Sequence, residues 1–329
     1  MKKPTLCIIF GGKSSEYEVS LRSAFGVLSH LDYEKYNVIT IGITKGGEWY
    51  IYEGEKERIL TDTWQGKGCV PVTVNLSNGH LIVLDKDVYA EEVDVFFPIM
   101  HGELVEDGRL QGLFDICGVK YVGCDSFSSH ICMDKRLAKS VAQSLGIKVA
   151  REYSENDEIA YPVFVKPCMC GSSVGVSRVE NASNLKEAVC KAKEYCPNVM
   201  IEEQISGCEV EVAVLECGGE LTVSPVGMVH HSGVFYGYEE KYHCENNRYI
   251  IPAPIDKSVA KTLQEHAKKL FLALGCRGIA RFDFFVNESG VVFNEVNTMP
   301  GFTEASMYPM LMSAAGVSYG ELIDKLIVN

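Results

Sequence analysis

The 329-residue sequence contains no cluster of basic residues and no long uninterrupted apolar run. Lysine and arginine number 31 against 44 aspartates and glutamates, so the formal net charge at pH 7 is −13. Because proteins bind nucleic acid through clustered positive charge, nucleic acid is not an expected partner. No stretch approaches the roughly 20 apolar residues of a transmembrane helix, so a membrane is not an expected partner either. An anionic ligand would therefore need local cations or metal ions.

The sequence also lacks C-x-x-C pairs, although it has 13 cysteines. Cys168 and Cys170 form only a C-x-C pair, which argues against a zinc site. The chain is long enough for two or three domains, and in a protein of this size we expect reduced, mostly buried thiols. The apolar run from Leu6 to Phe10 is too short for the core of a signal peptide. These features together predict a folded cytoplasmic protein.

The N-terminal residues have the pattern of a strand–helix–strand unit. The apolar run Thr5 to Phe10 precedes a glycine-rich turn at residues 11–15, and a helix is predicted from Glu18 to about Leu31. Val38 to Ile43 is the next predicted strand, so this region should form an open parallel sheet. Ligands bind at the carboxyl ends of such strands, which places Glu16 at the edge of a cleft. The turn is not a P-loop, because the glycine required upstream is missing.

Two further predicted strands end in polar residues. The run Val93 to Met100 ends in His101, although a lone histidine in this position is more often structural than functional. The run Val163 to Pro167 contains Lys166 and leads into the glycine- and serine-rich residues 168–176. Backbone N–H groups of such a loop can approach a phosphate closely, and Lys166 would add positive charge. A plain flexible surface turn is the alternative interpretation.

The patterns divide the chain into three predicted domains, residues 1–124, 125–205 and 206–329. One continuous helix is predicted from Ser129 to Leu145 at the start of the second domain, and a final helix is predicted from Tyr319 to Val328 at the end of the third. In the third, the glycine- and aromatic-rich stretch from His230 to Arg248 is typical of a mobile lid over a reacting centre.

Residues 280–301 have the pattern of a β-hairpin that turns at residues 287–290. Side chains alternate along a strand, so each strand carries a polar set on one face: Arg281, Asp283 and Phe285 on the first strand, and Phe293, Glu295 and Asn297 on the second. If the two faces coincide, their carboxylates and amide suit Mg2+ whose remaining ligands are waters and nucleotide phosphates. An amphipathic hairpin with a solvated polar face is the alternative interpretation.

Seven motifs occur in order along almost the whole chain: G-G-K-S-S-E-Y-E-V-S (11–20), H-G-x-x-x-E-D-G-x-x-Q-G (101–112), M-D-K (133–135), V-K-P-x-x-x-G-S-S-V-G (165–175), Y-x-x-K-Y (238–242), R-F-D (281–283) and N-E-V-N-T-M-P-G-F-T (294–303). With these motifs the sequence resembles the D-alanine–D-alanine ligases of the ATP-grasp superfamily. It also resembles their relatives that make D-alanyl-D-serine or D-alanyl-D-lactate in vancomycin resistance. The resemblance implies a three-domain α/β ATP-grasp fold with an N-terminal parallel-sheet (Rossmann-like) domain.

The resemblance also implies a role for each matching residue. The ATP-binding residues would be Lys135, Lys166, Ser172, Ser173, Glu202, Glu203, Ile205, Glu209 and Lys241. The catalytic residues would be Glu16, Ser172, Tyr242, Arg281 and Gly301, of which the first three would form a bridge between domains. The amino-acid substrates would contact Glu16, His101, Arg281, Gly301, Ser306 and Met307. Two Mg2+ ions, with Mn2+ as an alternative, would be bound by Asp283, Glu295 and Asn297.

The implied reaction is ATP-dependent ligation of two D-alanines through an acyl phosphate, for peptidoglycan synthesis, by a homodimer. D-Serine is the alternative second substrate. The lid keeps Lys241-Tyr242, unlike the lactate-forming enzymes, and Met307 stands where resistance ligases tend to have arginine, so D-alanine is favoured. A nucleotide-binding homologue without catalysis is the other alternative, but it would have little need for the metal-binding residues that are all present.

Three positions depart from the pattern of the family. Val105 stands where glycine is general, Gly237 where aspartate is common, and Glu304 where a small or neutral residue is usual. The first departure concerns the path of the loop after His101, and the second concerns closure of the lid. The third places a charge in the segment expected to bind the second substrate, where it could alter the choice of acceptor.

Overall fold

The computed structural model describes residues 3–66, 68–83, 90–154, 157–230 and 248–329. Within these ranges the strands form three sheets, of eight, four and six strands. The sheets occupy successive parts of the chain, between residues 5 and 121, 152 and 203, and 208 and 297. The domain boundaries at 124/125 and 205/206 stay predictions. None of the helices in the described ranges combines the length and apolar character needed to cross a bilayer.

The first sheet has the spatial order β6-β5-β4-β3-β2-β1-β7-β8. Its strands are β1 Thr5–Gly11, β2 Asn37–Ile43, β3 Trp49–Tyr52, β4 Cys69–Val74, β5 Leu81–Val83, β6 Ala90–Glu91, β7 Val95–Ile99 and β8 Lys120–Tyr121. Strands β2, β1, β7 and β8 are parallel, and β1 is buried along its whole length. The parallel arrangement predicted from the first strand–helix–strand unit is confirmed for β1 and β2, whereas strands β3 to β6 pair antiparallel with their neighbours.

Three helices accompany this sheet: α1 Tyr17–His30, α2 Lys56–Leu60 and α3 Arg109–Cys117. The predicted helix from Glu18 to Leu31 is confirmed as α1. The turn before it requires glycine, because Gly11 has φ +86° and an added Cβ would lie 2.2 Å from the carbonyl oxygen of Ile43. This tight turn places the residues before α1 at the carboxyl end of the sheet.

The central part of the chain begins with two helices, α4 Ser126–Met133 and α5 Lys135–Ser144. The prediction of one continuous helix is wrong at Asp134, whose extended backbone (ψ 103°) interrupts it. The Asp134 carboxylate accepts hydrogen bonds from the backbone N–H groups of Arg136 and Leu137, so this residue caps the second helix. The break determines where Lys135 lies, as the first residue of α5.

The four-stranded sheet follows, with the order β11-β10-β12-β9. Its strands and the helix packed against them are β9 Glu152–Tyr153, β10 Val163–Pro167, β11 Ser177–Val179, α6 Leu185–Lys193 and β12 Val199–Glu203. The predicted strand Val163 to Pro167 is confirmed residue for residue. All neighbouring strands of this sheet are antiparallel.

The six-stranded sheet is also antiparallel between neighbours. Its strands are β13 Cys208–Cys217, β14 Glu220–Val223, β15 Gly227–His230, β16 Arg248–Ile250, β17 Ile279–Asn287 and β18 Gly290–Asn297. The helices of this region are α7 Lys257–Ala273, α8 Met307–Ala314 and α9 Tyr319–Val328. The predicted final helix is confirmed as α9, whereas α8 was not predicted. One hydrophobic cluster joins α1 to α8 and α9, so the two ends of the chain share a core.

Candidate active site

A cleft with a volume of about 1190 Å³, including its open mouth, lies between the four-stranded and six-stranded sheets. All the predicted ATP-binding residues in the described ranges line it: Lys135, Lys166, Ser172, Ser173, Glu202, Glu203, Ile205 and Glu209. Asp283 and Glu295 line it as well. The structure therefore brings together residues that are far apart in sequence, and their roles stay predictions.

A buried carboxylate, Glu202, lies in the wall of the first cleft and contacts two lysines. Glu202 on β12 is 1% exposed, and its Oε2 lies 2.9 Å from Lys166 Nζ on the neighbouring strand β10. Its Oε1 contacts Lys139 on α5, a residue that the sequence analysis missed. Burial alone would raise the pKa of Glu202 above its ordinary value of 4.5. The two lysines lower it by a larger amount, so the resulting pKa is about 2. Lys139 lies one helical turn after Lys135, and that spacing was the available signal.

The glycine- and serine-rich loop is attached to the start of α5. The Lys135 backbone N–H donates to the Cys168 carbonyl (3.0 Å), and its Nζ donates to the Cys170 carbonyl (2.7 Å). The same Nζ lies 3.3 Å from Glu295 Oε2 across the cleft. Ser172 and Ser173 have φ angles of +49° and +58°, a conformation that residues other than glycine rarely adopt. Such strain is concentrated at functional loops, which supports the phosphate-binding interpretation over a plain turn.

The hairpin of β17 and β18 presents its polar groups together, as predicted. Asp283 pairs with Glu295, Arg281 pairs with Asn297, and the Asn297 amide donates to Asp283 Oδ2 (3.0 Å). The predicted alternation is wrong at Phe293, because a register shift after Asp283 places this residue opposite Phe284 in the hydrophobic core. A β-bulge of this kind changes which face the following side chains occupy.

The donor chemistry of the hairpin fits a hard divalent cation. Two carboxylates and one amide converge, and Asp283 and Glu295 also line the first cleft. In the described part of the chain there is no preformed group of three or more His, Cys, Asp or Glu side chains that could hold a metal ion. Phosphate and water oxygens would therefore have to complete the coordination of an ion bound here, as is usual for Mg2+.

A second cleft, with a volume of about 760 Å³ including its mouth, opens beside the first. All the predicted amino-acid-binding residues line it: Glu16, His101, Arg281, Gly301, Ser306 and Met307. Asn297 lies here too, and the apolar lining includes Val229 and Tyr249. Gly171, Ser172 and Glu211 line both clefts and so mark their junction.

The Arg281 guanidinium is held by two carboxylates. Its Nε donates to Asp283 Oδ1 (2.8 Å), its Nη2 donates to Asp283 Oδ2 (2.8 Å), and its Nε also lies 2.9 Å from Glu211 Oε2. Burial lowers the pKa of Arg281, but these carboxylates raise it more, to well above its ordinary value. Glu211 was not among the predicted site residues. Its position two residues after Glu209, on the same face of a strand, was the available signal.

Glu16 and Glu106 converge below the loop that contains Gly171. An added Cβ on Gly171 would lie 3.6 Å from Glu16 Oε2 and 3.8 Å from Glu106 Oε2. Burial and then the charge of Glu16 raise the pKa of Glu106 well above its ordinary value. Glu106 was not among the predicted site residues either. A pair of carboxylates in this cleft is suited to an ammonium group.

His101 is held by the protein through both ring nitrogens. Its Nδ1 lies 3.0 Å from the Met299 carbonyl, which can only accept, so Nδ1 carries the hydrogen. Its Nε2 then accepts from the Ser23 hydroxyl (3.0 Å). Burial lowers the pKa of His101 more than the charge of Glu16 raises it, which favours the neutral ring. These contacts position the Met299–Gly301 segment of the cleft and support a structural contribution of this histidine.

The segment before α8 forms the far end of the second cleft. Ser306 Oγ accepts from the Thr303 N–H (3.1 Å), and an added Cβ on Gly301 would lie 3.1 Å from that oxygen. Glu304 is not among the described residues that line this cleft; its carboxylate lies 3.1 Å from His30 Nε2 on α1. Whether the charge of Glu304 alters the choice of acceptor stays a prediction.

The other two departures from the pattern of the family are Val105 and Gly237. The Val105 side chain is buried in the core of the first sheet, and Leu104 beside it has φ +74°, so the loop accommodates valine. The predicted lid, with Gly237, Lys241 and Tyr242, lies outside the described residues.

The fold and the two joined clefts define a protein of the ATP-grasp class. Residues 5–124 match the family model described as D-ala D-ala ligase N-terminus, and residues 140–328 match the one described as D-ala D-ala ligase C-terminus. The chain therefore belongs to the D-alanine–D-alanine ligase family.

Individual relatives span the whole chain. The D-alanine–D-alanine ligase of Caldicellulosiruptor bescii is 41% identical, with 99% of this chain and 95% of the relative covered. The vancomycin/teicoplanin A-type resistance protein VanA of Enterococcus faecium is 39% identical, with 100% and 98% covered. Among solved structures, the VanG D-Ala:D-Ser ligase of Enterococcus faecalis superposes with a TM-score of 0.90 at 41% identity, with 99% of each chain covered.

Proposed function

We propose that this protein ligates two D-alanine molecules into D-alanyl-D-alanine with ATP, for peptidoglycan precursor synthesis. The observation that carries the proposal is the junction of the two clefts. There the lysine-lined cleft opens, at Ser172 and Glu211, into a smaller cleft that contains Arg281 and Gly301. A nucleotide phosphate in the first cleft would thereby meet a carboxylate in the second.

The first step would activate the carboxylate of one D-alanine. A carboxylate oxygen attacks the γ-phosphorus of ATP, the bond to the β-phosphate oxygen breaks, and ADP leaves. Such a transfer is accelerated mainly by positioning and by neutralisation of phosphate charge. Lys135 and Lys166 lie at the loop and on β10, where they would supply that charge. The ammonium of this D-alanine would be anchored by Glu16.

The second step would form the peptide bond. The amine of the second D-alanine, after losing a proton, attacks the acyl carbon and produces a tetrahedral oxyanion, which collapses with release of inorganic phosphate. Arg281 and the Gly301 N–H lie in the lining of the second cleft, where they would stabilise the developing charge. The predicted lid would exclude water from the acyl phosphate, which would otherwise hydrolyse.

Asp283, Glu295 and Asn297 are the residues that would hold divalent cations. When bound, Mg2+ or Mn2+ supplies positive charge against the nucleotide phosphates. Two Mg2+ ions are the expectation from the resemblance. The homodimer and the cytoplasmic location also stay predictions. Light scattering of the purified protein would measure its oligomeric state.

D-Serine is the second candidate for the acceptor, because a ligase whose name specifies D-Ala:D-Ser is among the similar structures. Met307, Val229 and Tyr249 give the second cleft an apolar lining, which favours the methyl group of D-alanine. An apolar pocket discriminates only weakly against an added hydroxyl, by roughly a hundredfold at most. The choice between the two acceptors therefore requires a direct measurement.

Incubation with ATP, Mg2+ and D-alanine is expected to give one ADP for each D-alanyl-D-alanine, identified by mass spectrometry. With D-alanine and D-serine at equal concentrations, D-alanyl-D-alanine should remain the main product. A reaction without ATP serves as the control. Preferential formation of D-alanyl-D-serine would make the protein a D-alanine–D-serine ligase, and no ADP release would support the alternative of a non-catalytic nucleotide-binding protein.

Replacement of Gly102 by alanine should raise the KM for the first D-alanine roughly tenfold or more. At φ +78° an added Cβ would lie 2.5 Å from Ser14 Oγ, which must move, and 3.1 Å from Glu16 Oε2, which must shift by a few tenths of an ångström. Loss of a charged hydrogen bond to the substrate ammonium costs about 1.5–3 kcal/mol. Gly118→Ala is the matched control, because it has φ +67° with no atom within 4 Å of the added Cβ. An equal KM in the two variants would contradict the assignment of Glu16.

A further inference from the structure

Three carboxylates form a row across neighbouring strands at the junction of the clefts. Glu211 on β13 pairs directly with Asp283 on β17, and Asp283 pairs directly with Glu295 on β18. Opposed side chains in antiparallel strands lie about 5 Å apart, so three like charges in a row repel each other unless cations separate them. In the structure those cations are Arg281 at one end of the row and Lys135 at the other.

Asp283, in the middle of the row, has two competing partners. Both its oxygens accept hydrogen bonds from Arg281, at 2.8 Å each. The proposed function also requires Asp283 as a ligand of a divalent cation, and a carboxylate oxygen that points at a guanidinium is poorly available to a metal. Either Arg281 must give up part of its hold on Asp283 when the cation binds, or the cation binds weakly.

Glu211 offers Arg281 a second anchor that does not depend on Asp283. Its Oε2 lies 2.9 Å from Arg281 Nε, and the side chains of Glu211 and Arg281 are both only 13% exposed, so this contact is little screened by solvent. Glu211 comes from a different strand than Asp283 and Glu295, and it lines both clefts.

We infer that Glu211 is a positioning residue that retains Arg281 at the cleft junction while Asp283 is transferred from Arg281 to the divalent cation. This inference rests on the proposed function and extends it to a residue without a direct role in bond making. Glu211 acts through Arg281, and the contact between them has two consequences. The guanidinium stays in the second cleft, where it would stabilise the oxyanion, and competition between Arg281 and the cation for Asp283 is relieved.

The test is the affinity for Mn2+, measured by electron paramagnetic resonance with a non-hydrolysable ATP analogue and no amino acid. Four proteins are compared: wild type, Glu211→Gln, Arg281→Ala and the double variant. Glu211→Gln should weaken Mn2+ binding about tenfold, the lower end of the effect of residues that orient metal ligands. In the Arg281→Ala background, Glu211→Gln should alter Mn2+ affinity less than threefold. The reason is that Arg281, which competes with the cation for Asp283, is then absent.

Steady-state kinetics provide the second readout. Glu211→Gln should lower kcat 10- to 100-fold, with the KM for ATP changed less than threefold. Glu216→Gln is the matched control, because Glu216 lies on the same strand and is outside both clefts, where it accepts from Asn329. If circular dichroism shows that Glu211→Gln is unfolded, Glu211→Asp takes its place in both Arg281 backgrounds, since it keeps the charge but shortens the reach toward Nε.

Wild-type Mn2+ affinity and kcat in the folded Glu211 variant would overturn the inference. Equal weakening of Mn2+ binding in both Arg281 backgrounds would also overturn it, because Glu211 would then act on the cation directly through its charge. The Mn2+ measurement needs no ligation reaction. A wild-type protein that binds Mn2+ and the ATP analogue but forms no dipeptide would therefore refute the proposed function while still allowing this inference to be judged.

Discussion

Replacing Arg281 by alanine is expected to lower the rate of dipeptide formation by about a hundredfold or more, while the protein still binds ATP. Arg281 lies in the second cleft and is not among the described residues that line the first. Removal of one preorganised oxyanion donor costs about 10²–10³ in kcat in other enzymes. A guanidinium also carries a full charge, so the loss should be at the upper end of that range.

The informative result for Arg281→Ala is loss of dipeptide formation without loss of nucleotide binding. Calorimetry should give an ADP affinity within about threefold of wild type, because the lysines of the first cleft are unchanged. Arg277→Ala is the matched control: this arginine is exposed, pairs with Asp125 at 3.4 Å, and lines neither cleft. Its kcat should equal that of wild type. Normal dipeptide turnover by Arg281→Ala would remove Arg281 from the mechanism.

Replacing Glu202 by glutamine is expected to destabilise the protein by roughly 3–5 kcal/mol, the cost of leaving buried charge without its partner. Lys139 is buried and Lys166 nearly so, and glutamine offers them no counter-charge. Urea unfolding would measure the loss. Glu152→Gln is the control, since Glu152 pairs with Glu202 across the strands but makes an exposed contact with Arg136. A surface ion pair of this kind contributes only about 0–1 kcal/mol.

The effect of Glu202 should also depend on pH. Its pKa is about 2 in the folded protein against an ordinary value of 4.5, so the folded state binds fewer protons than the unfolded state between these values. The stabilisation by Glu202, about 3 kcal/mol from this difference, is complete above pH 4.5 and is lost as the pH falls toward 2. The gap between wild type and Glu202→Gln should therefore narrow in acid. A gap that is constant with pH would show that Glu202 stabilises by packing alone.

Local sequence patterns were sufficient to predict those strands and helices whose structure depends mainly on residues close by in the sequence. The strand Val163–Pro167 and the helix Tyr319–Val328 were predicted to the residue, because an apolar run and a capped amphipathic repeat are local signals. Alternation along two strands also predicted that Asp283, Glu295 and Asn297 share a face. The seven motifs, in their order along the chain, indicated the ligase family to which the chain belongs.

Contacts between distant segments were not predictable in this way. The bulge that turns Phe293 into the core and the break at Asp134 follow from how strands and helices fit their neighbours. Lys139 lies one helical turn after Lys135, but nothing in its helix shows that Glu202 faces it from the four-stranded sheet.

The sequence by itself determined the elements with strong local patterns, the order of the motifs and the residue types of the site. Only the tertiary structure decided which charges oppose one another. Glu211 and Arg281 are ordinary strand residues until β13 and β17 pair and bring them to 2.9 Å. The physical reason is that a charge interaction depends on separation and burial in space, and neither quantity is encoded in local periodicity.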